Sequence, residues 1–263
     1  MSYHAPRQLP RITARIDDRR TAGTCRGLSG NVFVAFFFVD DPESRWTQRE
    51  IDRYINSSVL PSVRYLEQHA AQWKIPLKLT VGYYCTGQAK DFSLQWPRVL
   101  PNRFCEDTRG LVSWCVERTN YESIREMNRY LCGDYDSRQV VYALVLNKPG
   151  RSCAVTASRW NRPSEREYML MYARNSQDQQ PEYSCAVAHE LLHQFGAIDL
   201  YYPDDPTEER LNYTRMLFPD DIMYRIDPDL DRLQIGAVTA HMIGWLEHLP
   251  ERYGCAAWWE RTL

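Results

Sequence analysis

The longest apolar stretch of the chain runs from Asn31 to Val39, with Val, Phe and Ala following one another without a polar break, the pattern of a strand buried on both faces. The turn signal Asp40-Asp41-Pro42 closes it. Thr47 is placed to cap a helix, and Ile51, Tyr54, Ile55, Val59, Val63, Leu66 and Ala70 then recur at helical spacing toward Lys74, with Pro61 expected to kink or divide the helix. After Pro76, Leu77, Leu79, Val81 and Tyr83 alternate with polar or small residues, which predicts a second strand from Leu77 to Tyr84. Strand, helix and strand in this order imply a right-handed crossover in a largely parallel sheet.

Further along, residues 86–138 show little periodicity apart from a predicted helix at Tyr121 to Leu131, and read as an insertion with no assigned role. Val140 to Leu146 is another buried strand, closed by Lys148-Pro149-Gly150; Cys153 to Ala157 is expected to turn back as an edge strand, and Tyr168 to Tyr172 to form one more. A helix is expected from Ser184 to Phe195, stopped by a left-handed Gly196, and a last helix from Leu233 to Leu249. Residues 1–30, polar and punctuated by Pro6, Pro10, Gly23, Gly27 and Gly30, read as an arm ahead of a single domain at 31–263.

Composition narrows the function classes. A chain of 263 residues with 44% hydrophobic and 25% charged residues can bury a substantial core. Its net charge of -2 lacks the basic excess that drives binding to nucleic acid, so no nucleic-acid partner is expected. Arg7, Arg11, Arg15, Arg19 and Arg20 are interrupted by Asp17 and Asp18, as in a solvated arm. No apolar run approaches the roughly 20 residues of a membrane span, and none lies where a signal peptide would be. That points away from a membrane, and toward a cytoplasmic protein, one exported without a classical signal, or one whose leader has been removed. The eight cysteines form no metal-binding spacing, and they fit either disulfides or free thiols.

The chemistry concentrates in Ala188-His189-Glu190-Leu191-Leu192-His193-Gln194-Phe195-Gly196-Ala197-Ile198-Asp199. On a helix, His189 and His193 lie one turn apart on the same face and can reach one cation, with Glu190 beside them. Zinc suits two imidazoles and a carboxylate, leaving a fourth position for a water whose pKa falls toward neutrality. Glu190 is the candidate general base for that water. Gly196, free of a side chain, allows the backbone to leave the helix and return Asp199 to the metal as third ligand. By ordinary residue frequencies HExxH arises by chance in a chain this long on the order of one per cent of the time, and the added Gly and Asp lower that by roughly two orders of magnitude.

The pattern HExxHxxGxxD resembles the aspartate-ligand branch of the metzincin zinc peptidases, similar to snapalysin and the immune inhibitor A group. That resemblance implies an α/β (α+β) fold: a mixed twisted sheet with an edge strand, a long backing helix, the zinc-binding helix, a methionine turn and a C-terminal helix. It implies that Met223, in Asp221-Ile222-Met223-Tyr224, supports the floor of the site. It also implies a metalloendopeptidase whose substrate, a protein or peptide, lies extended along the edge strand, making residues 151–157 the candidate cradle. In some branches a tyrosine two places after the turn methionine helps the metal, but here that position is Arg225 and the tyrosine is Tyr224.

Other groups compete for roles. Glu208 or Glu209 is an alternative third ligand; His241 and His248 either approach the site or pack and cap; Cys25 is a candidate thiolate lid on the zinc. Two other readings of the whole stand beside the peptidase: a non-catalytic binding module that keeps zinc for stability, and a toxin or effector peptidase with a single protein target.

Overall fold

The computed structural model describes residues 24–104, 108, 110–156, 167–201, 208–250 and 253, with backbone alone for 208–211 and 213. A mixed sheet of five strands organises it: β1 (Gly30–Val39), β2 (Leu77–Cys85), β3 (Gln139–Gly150), β4 (Cys153–Val155) and β5 (Tyr168–Asn175), in the order β2-β1-β3-β5-β4. β1 pairs parallel with both β2 and β3, placing Val34 opposite Val81 on one side and Val141 on the other. β3 and β5 are also parallel, and only β4, at the edge, runs antiparallel. The short β4 ends at Val155; position 157 of the expected edge strand lies outside the described residues.

Because side chains alternate across a strand, β1 feeds two cores. Val34, Phe36 and Phe38 point into one, Phe33, Ala35, Phe37 and Val39 into the other, and all seven are at most 3% exposed. This is why the first strand reads as continuously apolar.

The first core is roofed by α1 (Gln48–Tyr54) and α2 (Leu60–Gln72). Thr47 caps α1 through a reciprocal box: its hydroxyl accepts from the Glu50 amide at 3.3 Å, and the Glu50 carboxylate accepts from the Thr47 amide at 2.9 Å. The expected single helix is divided where Pro61 predicts: Pro61 stands in the first turn of α2, with no N–H to continue the ladder of the helical residues before it. The interruption is a π-helical turn at Ile55–Val59. It delivers Ser58 and, one turn on, Ser62 to backbone carbonyls near the start of a later helix: Ser58 Oγ donates to Glu182 O at 2.7 Å and Ser62 Oγ to Ser184 O at 2.6 Å.

The second core is covered by residues 86–138, which gives this supposed insertion a structural role. Leu94 and Leu100 in loops, Leu111 and Cys115 on α3 (Leu111–Val116), and Ile124 and Met127 on α4 (Ile124–Asp134) close over the far face of the sheet. At the near end, Cys25 and Leu28 are buried, and Trp245 Nε1 donates to Leu28 O at 2.6 Å, so the packed body begins ahead of residue 30.

Three helices complete the first layer: α5 (Ser184–Gln194), α6 (Glu208–Leu217) and α7 (Ala237–Met242). The last is far shorter than the Leu233 to Leu249 expected. Its front half is taken up by pairing with the turn around Asp221, where Gln234 donates to Asp220 O at 2.7 Å and accepts from Ile222 N at 2.9 Å. Its back half is stopped by Gly244, whose φ of +84° breaks the helix and whose missing side chain admits Gly27, 3.0 Å from where a Cβ would stand. Among the described residues no helix is long and apolar enough to cross a membrane, and Cys25, Cys85, Cys115, Cys132, Cys153 and Cys185 are free thiols.

Candidate metal centre

Helix α5 is almost wholly buried, with Val187, Leu191 and Leu192 in the core and the two serines of the preceding layer anchoring its entry. Its buried setting makes the direction of every polar side chain consequential. His189 and His193, one turn apart, turn toward each other with ring centroids 4.7 Å apart. After Phe195 the chain leaves the helix at Gly196, whose φ of +97° lies in the left-handed region as its position predicts. That exit carries Asp199 back over the helix.

The result is a tight triangle of ligand atoms. His189 Nε2 lies 3.0 Å from Asp199 Oδ1, His193 Nε2 lies 3.2 Å from the same oxygen, and the two Nε2 atoms are 3.1 Å apart. Each remaining ring nitrogen faces a backbone carbonyl, which can only accept: His189 Nδ1 donates to Ile222 O at 2.9 Å and His193 Nδ1 to Ala197 O at 2.8 Å. Both Nε2 lone pairs are therefore turned to the common centre. A tetrahedral ion with bonds of about 2.0–2.1 Å spaces its ligand atoms about 3.3 Å apart, close to what these three atoms make. His189, His193 and Asp199 can hold a metal ion.

Protons compete for the same lone pairs. Burial works against charge on His189, but the hydrogen bond to Asp199 and the Glu190 and Asp199 carboxylates prevail and push its pKa up to about 9. Burial likewise opposes the Asp199 charge, yet hydrogen bonds from His189 and His193 hold its carboxyl well below the usual carboxylate range. A cation must displace the proton these groups share, so its binding tightens as pH rises.

Beneath the triangle runs the turn that contains Met223, itself 0% exposed. The turn holds both halves of the ligand set: Ile222 O orients His189, and Met223 O accepts from Leu200 N at 2.7 Å, next to Asp199. Its shape depends on Asp221, a buried carboxylate that accepts from Met223 N and Gly236 N at 2.8 Å each and from Thr239 Oγ1 at 2.9 Å. Burial pushes the Asp221 pKa up to about 6 against those donors. In the sequence Asp221 is one acid among many in a polar loop, and nothing marks it as the organiser of the turn.

Glu190, itself buried, lines a cavity of about 470 Å³ that it shares with His189 and Tyr201, and it has no hydrogen-bond partner among the described residues. Arg151 and Ser152, from the turn between β3 and β4, also line the cavity. Tyr201, two residues past Asp199, has its ring centroid 6.2 Å from that of His189. Its place at the cavity has no signal in the sequence, where Tyr201 is one of two adjacent tyrosines ahead of a polar loop. After Met223, Tyr224 accepts from Arg215 Nε at 3.2 Å, while Arg225 pairs with Asp220 at 3.1 Å and with Asp227.

Several candidates stay away from the centre. Cys25 is buried with its thiol on Val140 O at 3.7 Å, burial pushing its pKa up to about 12, so it is no thiolate lid. His241 is a packed histidine whose Nδ1 donates to Leu246 O at 2.9 Å, and His248 is exposed beside Glu247. The side chains of Glu208 and Glu209 lie outside the described residues. No protein-family model matches the chain, and no curated protein matches it.

Proposed function

We propose that the chain is a zinc-dependent endopeptidase of the metzincin kind, with His189, His193 and Asp199 as ligands and Glu190 as general base. One observation carries the reading: three ligand atoms within 3.2 Å of one another, both histidine Nδ1 atoms committed to carbonyls, and a buried carboxylate adjoining them on an open cavity. Two neutral imidazoles and one carboxylate, with a side open to solvent, favour zinc at a hydrolytic site over calcium or magnesium, which prefer oxygen. The methionine turn under the ligands and the single antiparallel edge strand beside α5 support the metzincin reading.

When bound, zinc supplies Lewis acidity that makes water a nucleophile near neutral pH and polarises a carbonyl. The chain's own residues do the rest. Glu190 takes the proton of the attacking water and returns it to the leaving amine, which its position in the cavity and its lack of a hydrogen-bond partner among the described residues allow. Ile222 O and Ala197 O accept from the two Nδ1 atoms and so fix the tautomer and aim of the imidazoles. Asp199 adds negative charge at the centre, offsetting more of the metal's charge than a third histidine would. The outer edge of β4, beside the cavity wall, offers backbone groups to an extended peptide.

The test is cleavage of a mixed peptide library by the wild type and Glu190→Gln at equal zinc content. Cleavage by the wild type and its loss in the variant is the expected result. Equal cleavage by both would exclude Glu190 as the base, and no cleavage by either would turn the reading to a binding module.

A further inference from the structure

The cavity beside Glu190 contains a second carboxylate that the hydrolytic chemistry does not use. Glu182 precedes α5, is 6% exposed, and lines the same cavity as Glu190 and His189. Burying a carboxylate is costly unless a cation or several donors compensate it. Here the donors are two: Ser152 Oγ to Oε2, and the Tyr183 amide to Oε1 at 3.2 Å. Among the described residues no Lys, Arg or His side chain forms an ion pair with it. Arg151, on the same cavity, is exposed and does not reach it. The surroundings are negative instead: burial first, with Glu190 and Asp178 adding to it, pushes the Glu182 pKa up to about 7.

One further feature of the cavity bears on its occupant. Ile226, 57% exposed, lines the rim and offers an apolar contact for a methylene stem.

We propose that this cavity is a specificity subsite in which Glu182 receives the Lys or Arg side chain of a peptide substrate lying beside the metal centre. This rests on the peptidase reading and names its substrate class: peptides with a basic residue near the scissile bond. A guanidinium or ammonium group at Glu182 would replace the missing cation and relieve the repulsion from Glu190. The structural alternative is a strut in which Glu182 only ties Ser152 to the start of α5.

Peptide binding to the zinc-loaded Glu190→Gln protein, measured by fluorescence anisotropy, separates the two without requiring cleavage. Matched peptides carrying arginine or its neutral isostere citrulline at each position in turn are the probes. The expected result is one position at which arginine binds at least about tenfold more tightly. Glu182→Gln in the same background abolishes that preference and leaves the citrulline peptide unchanged. Ser152→Ala, which removes the strut and keeps the charge, retains the preference, and decides the matter even if Glu182→Gln folds poorly. No arginine preference at any position, a preference surviving Glu182→Gln, an equal loss for both peptides in that variant, or loss of the preference in Ser152→Ala would each overturn the proposal. Wild-type cleavage of the tightest peptide is scored separately: if it is bound with arginine preference but not cut, the peptidase reading fails and the subsite stands.

Discussion

The two faces of the sheet are built from the same strands but solve different problems. On the far face, Phe33, Phe37, Leu111, Val112, Met127 and Tyr142 form a core of mostly apolar side chains. On the near face, apolar side chains surround His189, Glu190, Asp221, Thr239 and His241, each buried. A buried polar group is tolerated only when its partners are supplied, and on this face they are supplied by the architecture: carbonyls of Ala197 and Ile222, amides of Met223 and Gly236, the Thr239 hydroxyl. Among the described residues Glu190 and Glu182 depart from that rule, one without a hydrogen-bond partner and the other without a cation, and both open on the same cavity. The far face invests in stability, the near face in orienting groups for something that is not part of the chain.

The comparison can be broken most sharply at Glu190. Glu190→Gln should lower peptide cleavage by about 10²–10⁴-fold while the melting temperature, followed by circular dichroism, stays within about 2 °C. A large loss of stability would mean that Glu190 belongs to the core. The mirror experiment is Met127→Ala on the far face, expected to cost about 2–5 kcal/mol in urea denaturation with zinc content and activity per folded molecule unchanged. Asp221→Ala should do both kinds of damage, since it strands two amides and a hydroxyl and loosens the turn under His189: about 3 kcal/mol of stability and about 10–100-fold in metal affinity, read by chelator competition.

A smaller effect is expected from pH. The Glu182 carboxyl has its pKa raised from 4.5 to about 7 in the fold, so the folded state binds the proton more tightly than the unfolded chain. The stabilisation is fully present below about 4.5 and is lost as pH rises through about 7, a difference of roughly 3 kcal/mol at most. Wild type should therefore lose stability relative to Glu182→Gln across that window, and parallel melting curves would show that Glu182 is not buried as described. The smallest effect belongs to Cys25→Ser, which should release no latent activity because the thiol is packed on Val140 O.

How much of this was legible depended on whether the information is contiguous in the chain. The ligand set could be read because His189, His193, Gly196 and Asp199 fall within one helix and its exit, where helical periodicity fixes their geometry. The strands were legible from their apolar runs. What aims the ligands was not legible, because Ile222 and Ala197 act through backbone carbonyls, which every residue has. Asp221 and Glu182 were invisible for a related reason: their importance comes from burial by distant segments, and their neighbours in sequence are ordinary. The covering role of residues 86–138 was hidden because two short helices and loop leucines do not make a sustained period. The end of the last helix is hidden because apolar spacing continues through Gly244, where a left-handed backbone and close contact with Gly27 stop it.

The central claim is that three side chains form one metal centre. Zinc stoichiometry and affinity, measured by competition with a chromogenic chelator on wild type, His189→Ala, His193→Ala and Asp199→Ala, test it most directly. One equivalent of zinc bound by the wild type, with affinity lowered about 100-fold or more in each variant and strengthening as pH rises, is the expected result. A wild type that binds no zinc, or variants that hold it as tightly as the wild type, would contradict the account.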